Sequence, residues 1–396
     1  YFRLVNFYGD VPFFTKDITL DEANSISRTS AATVLQFIHD ELEDIKDDLP
    51  INTALSADEQ GKITKGAVSM LQARVYLMEG NWDKVITYTD NLINNQGEYG
   101  TYDLYPSYRG LFEEENEYNQ EVIMDRSYVK KLLTWGDMVD MAPLSVGGRA
   151  INRVPQQSLV DSYIMLNGKR IDEQGSNYNK DYPYANRDPR MTATIRYDWS
   201  GNVNDGSQGT VIHIDPNTST TVDKYVYGSN NTATGYYVRK YYSPQDAGDL
   251  NSGLNIITMR YADVLLMYAE AKFEKGEFTE DIWNMTIKCI RERAGFTDSG
   301  ALEYPSLSSD DMRKLIRNER RCELAMEGLR WFDIKRWKAG SEYLTGNVEG
   351  ATFDGVGTIR VDSYNFNEQR DYLWAVPQSQ IDLNHNLAPN NPGYAN

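Results

Sequence analysis

The 396-residue chain sets 40 Lys and Arg against 58 Asp and Glu, a formal net charge of −18. That is the wrong sign for gripping a phosphate backbone or anionic headgroups, so nucleic acid and the membrane surface are poor partners. The length admits one large domain or two to three ordinary ones. No run reaches the ~18 apolar residues of a spanning helix.

The chain opens at Tyr1, without Met, inside the apolar stretch "YFRLVNFYGDVPFF". Any signal peptide or lipid anchor is expected upstream of this point. From Thr33 to Leu49, Val34, Phe37, Ile38, Leu42, Ile45 and Leu49 recur at helical spacing and Pro50 stops the run, which predicts an amphipathic helix. Residues 64–79 and 82–95 predict two further helices joined by a tight Gly-Asn turn.

Residues 97–255 then change character, with Tyr, Asn, Gly and Ser replacing helical periodicity. Only "PQQSLVDSYIM" (155–165) reads as a short helix, and turn signals from 200 to 235 alternate with strand-like runs such as Val211–Ile214. An insert this long in a helical chain is more often functional than idle.

A second helical hairpin follows. With Gly80 aligned on Gly276, Leu71 falls over Met267, Ala73 over Ala269, Leu77 over Phe273 and Trp82 over Phe278. A small residue, a turn glycine and an aromatic in that order is the tetratricopeptide (TPR) pattern, degenerate here because Val85 and Asp281 stand where Ala is preferred. The expected fold is mainly α, a degenerate TPR scaffold with a long irregular insert containing short β-hairpins. Its parts are residues 1–96, the insert 97–255, a second helical part 256–340, and a loop-rich close 341–396.

The segment "NERRCELAMEGLRWFDIKRW" (318–337) places Glu319 and Glu323 on the apolar arc of its helix. Two carboxylates in unequal surroundings could divide acid and base roles, as in glycoside hydrolysis. Arg320, Arg330 and Arg336 stand close in sequence, however, and buried acids flanked by guanidinium groups are usually paired. The pair therefore reads as structural.

Cys289 and Cys322 form no CxxC, and His39, His213 and His385 follow no metal spacing. "DWSGNVNDG" (198–206) offers Asp198, Asn202, Asn204 and Asp205 as loosely calcium-like oxygen ligands. It lacks the full loop spacing and closing Glu, so a solvated turn is the better reading and no cofactor is assigned. GxSxG, GxxxxGK[ST], HExxH and GxGxxG are all missing from the sequence.

With 28 Tyr and 7 Trp in the chain, aromatic rings among polar residues of the insert form a plausible ligand surface. A ring face can stack on a sugar while neighbouring polar groups bond hydroxyls. Trp199, Trp135, Tyr105 and Tyr184 are the stacking candidates, and Arg149 is the hydroxyl-bonding neighbour.

"IRNERRCELAMEGLRWFDIKRW" resembles the hallmark of the SusD/RagB family, roughly ER..EL..EG.R..DL.RW. Agreeing segments include "YFRLVNFYGDVPFF" at 1, "NRDPRM" at 186, "MRYADVLLMYAEAK" at 259 and "YLWAVPQSQIDLNHNLAPNNPGY" at 372. The resemblance implies a Bacteroidetes outer-membrane lipoprotein at the cell surface, binding rather than catalysing. It would capture an oligosaccharide, or in some members a peptide, and deliver it to a TonB-dependent SusC-like transporter. Contact with the membrane would run through the upstream lipid anchor alone. Since the ligand-binding loops vary between members, no family site residue maps onto this chain.

Overall fold

The computed structural model describes residues 1–149, 151–199 and 211–395. α1 spans Ala31–Ile45 and is capped by Ser30, whose hydroxyl accepts the Thr33 N–H. The helical spacing that continues to Leu49 is realised as a 3₁₀ turn, Lys46–Asp48. α2 (Lys65–Glu79) and α3 (Trp82–Ile93) form the first hairpin. Gly80 ends α2 at φ 72°, the left-handed conformation that glycine adopts without a Cβ penalty, and the Asn81 side chain caps α3 through Lys84 N–H. Both residues of the Gly-Asn turn therefore have a mechanical reason to be there.

Inside the insert, β1 (Val122–Arg126) is its first regular strand, α4 (Gln157–Ser162) is the short helix expected from sequence, and α5 (Pro189–Thr194) precedes β2 (Ile195–Arg196). β3 (Tyr237–Val238) pairs antiparallel with β2. β4 (Ile256–Arg260) pairs antiparallel with β1, Val122 opposite Arg260 and Arg126 opposite Ile256. The short strands of the insert thus join residues distant in sequence and close it at its base. Ile212 and Ile214 are fully buried but accept isolated bonds from Trp199 N–H and Tyr225 N–H rather than joining a ladder.

β4 leads directly into α6 (Tyr261–Glu274), the start of the second hairpin. Its return arm, α7, comprises Glu280–Trp283, a π turn at Asn284–Lys288 and Cys289–Ala294. α2 and α6 are buried on nearly all sides, which removes the amphipathic pattern a surface helix would show. Met70, Ala73 and Leu77 pack with Leu266, Met267, Trp283, Met312 and Ile316 in one apolar core. α8 (Ser309–Glu323) and α9 (Arg330–Arg336) complete the scaffold.

The close of the chain is more ordered than its composition suggests. β5 (Thr345–Phe353) and β6 (Gly357–Asn365) make an antiparallel hairpin where the sequence reads as loop. Only Val348, Gly350, Ala351, Phe353 and Ile359 are buried along it, too few apolar positions to stand out in a sequence scan. Ala351, Phe353 and Ile359 insert into the second core with Tyr163, Met191, Ile195 and Tyr237, tying the hairpin to the insert.

Candidate ligand-binding site

Glu319 and Glu323 are 2% and 0% exposed, and both are ion-paired. Their partners come from elsewhere in the chain than the adjacent arginines. Arg190 of α5 reaches Glu319 at 2.7 Å and Glu323 at 3.0 Å, Arg291 of α7 reaches Glu319 at 2.8 Å, and Arg260 reaches Glu323 at 2.7 Å. Arg293 bonds Glu323 as well. Arg320 and Arg336 instead hold Asp263, Asp333 and Glu270, while Arg330 lies over the Trp337 and Tyr343 rings.

Burial alone would raise both carboxyls, but the surrounding guanidinium groups outweigh it and hold both below the ordinary range. A general acid needs the opposite shift. The pair cannot divide acid and base roles, and the hydrolase reading loses the observation that prompted it. Cys289 and Cys322 are free thiols pushed up to about 12 by burial, which leaves little thiolate at neutral pH.

Attention therefore falls on the insert. Trp199 is 63% exposed and adopts φ 61°, a left-handed conformation uncommon for a bulky residue. Its N–H is fixed to Ile212 C=O at 2.9 Å, and its ring lies 3.9 Å from that of His213. His213 is held in turn by Asp198 through Nδ1 (2.9 Å) and by Thr218 through Nε2 (3.2 Å). A strained, supported and solvent-facing indole is the arrangement expected of a contact surface.

Tyr184 stands next to this unit. It stacks on Tyr197 at 4.1 Å, two residues before Trp199, and its hydroxyl meets that of Tyr236 at 3.3 Å. Tyr236 donates to Gln157 Oε1, and burial pushes the Tyr184 phenol up to about 12. Trp199 and Tyr197, the stacking partner of Tyr184, thus share the segment 197–199.

Among the described residues the other three candidates make no ring contact with Trp199 or Tyr184, although Trp135 packs against the same core as Tyr184. Tyr105 and Trp135 both pack against the cluster of Tyr108, Phe112, Tyr241 and Leu254. The Tyr105 hydroxyl donates to Asn116 at 2.7 Å and the Trp135 indole N–H to Leu254 C=O at 2.7 Å. Arg149 is exposed, and among the described residues no hydrogen bond links its side chain to either aromatic group.

Sequence reasoning missed Tyr197 and His213, which buttress the candidates, and Tyr227, which is 87% exposed beside a Gly-Ser-Asn-Asn turn. Of the calcium-like loop, Asn202, Asn204 and Asp205 lie outside the described residues. Asp198 Oδ1 already accepts from His213 and from the Ile214 and Asp215 N–H groups. Among the described residues no cluster of three or more His, Cys, Asp or Glu could hold a metal.

Paired TPR-type hairpins, an aromatic insert and a buried Arg–Glu clasp define a helical binding scaffold. The chain belongs to the SusD family, whose model matches residues 88–394. SusD-like protein P2 of Formosa agariphila is 28% identical over 409 residues, which take in all of this chain and 72% of that protein. SusD-like protein P25 of the same organism is 25% identical over 85% of this chain and 61% of its own length.

Among solved structures, a SusD-like carbohydrate-binding protein of Bacteroides fragilis superposes with a TM-score of 0.86 at 28% identity, covering 98% of this chain and 77% of that one. A laminarin-binding SusD-like protein shares the fold at TM-score 0.62 and 22% identity, over 99% of this chain and 76% of that one.

Proposed function

We propose that this protein is a cell-surface glycan-binding protein that captures an oligosaccharide and passes it to a TonB-dependent SusC-like transporter in the outer membrane. The observation that carries the ligand class is the Trp199 platform, an exposed indole braced by His213 beside the stacked Tyr184–Tyr197 pair. Flat rings with hydroxyl and amide groups at their edges fit a sugar, which offers an apolar face and equatorial hydroxyls. Membership of the SusD family and similarity to a protein described as carbohydrate-binding support the same reading.

The outer-membrane location and lipid anchor are part of this proposal. No helix of the described residues is long and apolar enough to cross a membrane. A glycan array on the purified chain, run beside a peptide library, tests the ligand class. Retention of one or more oligosaccharides is expected, and binding of peptides with no glycan would overturn it. Co-purification with an outer-membrane barrel transporter tests the delivery step.

A further inference from the structure

Arg190, Arg260, Arg291, Arg293, Arg320 and Arg336 each meet a carboxylate within ion-pair distance. Three arginines of the same helices do not. Among the described residues Arg317 and Arg321 of α8 and Arg330 at the start of α9 have no carboxylate partner, in a chain with an acid excess of 18. All three line one cleft of about 950 Å³, the size of a small-ligand site.

Arg317 and Arg321 are spaced i, i+4 on α8, a like-charge arrangement that costs stability unless an anion relieves it. Arg317 rests over the Trp337 ring at 4.6 Å, and its buried Nε–H has no acceptor. Arg330 lies over Tyr343 at 4.3 Å. Among the described residues Arg321 donates only to the Ser158 hydroxyl, at 3.0 Å, and burial with the neighbouring Arg330 charge lowers its guanidinium to about 10. These cations are positioned by rings and a hydroxyl; Asp161 acts on Arg321 and Glu270 and Glu274 on Arg317 from beyond ion-pair distance only.

A second cavity of about 350 Å³ shares Ser158, Arg321 and Arg330, and Trp331 lines it with a buried indole N–H that has no acceptor. Unmet donors in the walls of two adjacent cavities call for oxygen acceptors. The acids of the larger cleft narrow the class. Asp172 pairs with Arg170, Asp311 with Lys314, Asp161 accepts from Gln157 and Glu173 from the Arg170 N–H, but Glu303 and Glu342 stand exposed in its lining and would repel a polyanion.

We infer that the cleft between α8 and α9 is a binding site for a small, singly charged acidic saccharide such as a hexuronate, its carboxylate held by Arg321 and Arg330 with Arg317 behind them. The guanidinium fork matches a planar carboxylate in bidentate fashion. A hydroxyl of the ring would meet Ser158, which lines both cavities. The site is separate from Trp199 and stands whether or not that platform binds glycan.

Calorimetric titration of the whole chain with glucuronate, glucose and sodium sulfate tests this. Glucuronate is expected to bind at least ~10-fold more tightly than glucose or sulfate, one such factor being about 1.4 kcal/mol. Arg321→Gln and Arg330→Gln should each weaken glucuronate at least ~10-fold, and Arg321→Lys should recover part of the loss. Ser158→Ala, which deletes only the exposed hydroxyl that lines both cavities, provides a milder variant should the arginine variants fail to fold, and a several-fold loss is expected. Glucuronate binding that is undetectable in the parent protein, or unchanged in the variants, overturns the site. Sulfate or glucose binding as tightly as glucuronate overturns the saccharide acid as its ligand.

Discussion

Arg190 and Glu319 meet at 2.7 Å in the interior, although one lies in the insert's "NRDPRM" run and the other belongs to α8. The same guanidinium holds Asp188 and reaches Glu323, 133 positions away in sequence. Arg190 is thus the point at which the insert is fastened to the helical scaffold. Arg190→Ala would strand the buried Asp188 and take one of several partners from Glu319 and Glu323, and breaking a buried pair costs ~3–5 kcal/mol. Urea unfolding should register a loss of that size, and a loss below ~1 kcal/mol would show that the fastening lies elsewhere.

The clasp also fixes an acid limit. Burial raises Glu323, but Arg293, Arg260 and Arg190 outweigh it, so its folded pKa lies below the ordinary 4.5. A depressed carboxylate contributes stability that is complete above its unfolded pKa and is lost as pH falls toward the folded one. Glu319, Glu270 and Glu327 act in the same direction. Melting temperature should therefore hold on their account between pH 7 and 5 and fall steeply below about 4.5. Glu323→Gln should be less stable at neutral pH and show a shallower acid decline.

Local chemistry made the hairpins legible. Small Ala73 and Ala269, the Gly-Asn turn and the aromatic that follows all state their roles within a few residues. The inward turn of Glu319 and Glu323 was equally visible from helical phase. Their partners were not, because Arg190, Arg260, Arg291 and Arg293 arrive through long-range contacts that leave no periodic trace. The Trp199 site was half legible. An indole amid Asn and Gly suggested exposure, but the support from His213 depends on a fold-back of the chain.

Trp135 shows why composition alone could not rank the aromatic candidates. Its ring joins two apolar clusters and its N–H satisfies Leu254 C=O at 2.7 Å. Trp135→Phe keeps most of the apolar contact but leaves that carbonyl without its donor, which costs ~1–3 kcal/mol. Thermal unfolding should report this loss while glycan affinity stays within about twofold. A large affinity loss in a stably folded variant would place Trp135 in contact with ligand.

The closing hairpin seats on the insert through a backbone approach. Ala351 N–H donates to Thr234 C=O at 2.7 Å, and a Cβ on Gly350 would lie 2.2 Å from that same oxygen. Gly350→Ala must push the hairpin off its seat and expose Phe353 and Ile359, which are otherwise buried. Overpacking of this kind costs ~1–3 kcal/mol. Proteolysis should then cut first between residues 345 and 365, and unchanged protection there would refute the close approach.

Trp199 should behave in the opposite way to the clasp. With 63% of its surface exposed, it contributes little to the core, and Trp199→Ala also relieves a bulky side chain at φ 61°. Surface changes of this kind usually stay within ~0.5 kcal/mol. A central aromatic anchor, by contrast, commonly carries ~2 kcal/mol or more of binding energy. Trp199→Ala should therefore leave the melting temperature nearly unchanged and weaken the oligosaccharide found by array at least ~10-fold in titration. Tyr184→Phe separates stacking from hydroxyl chemistry. It keeps the ring against Tyr197 and removes only the bond to Tyr236, so a glycan held by ring faces should lose less than about threefold. Full affinity in Trp199→Ala would remove the indole from the site and with it the main structural support for a sugar ligand at that platform.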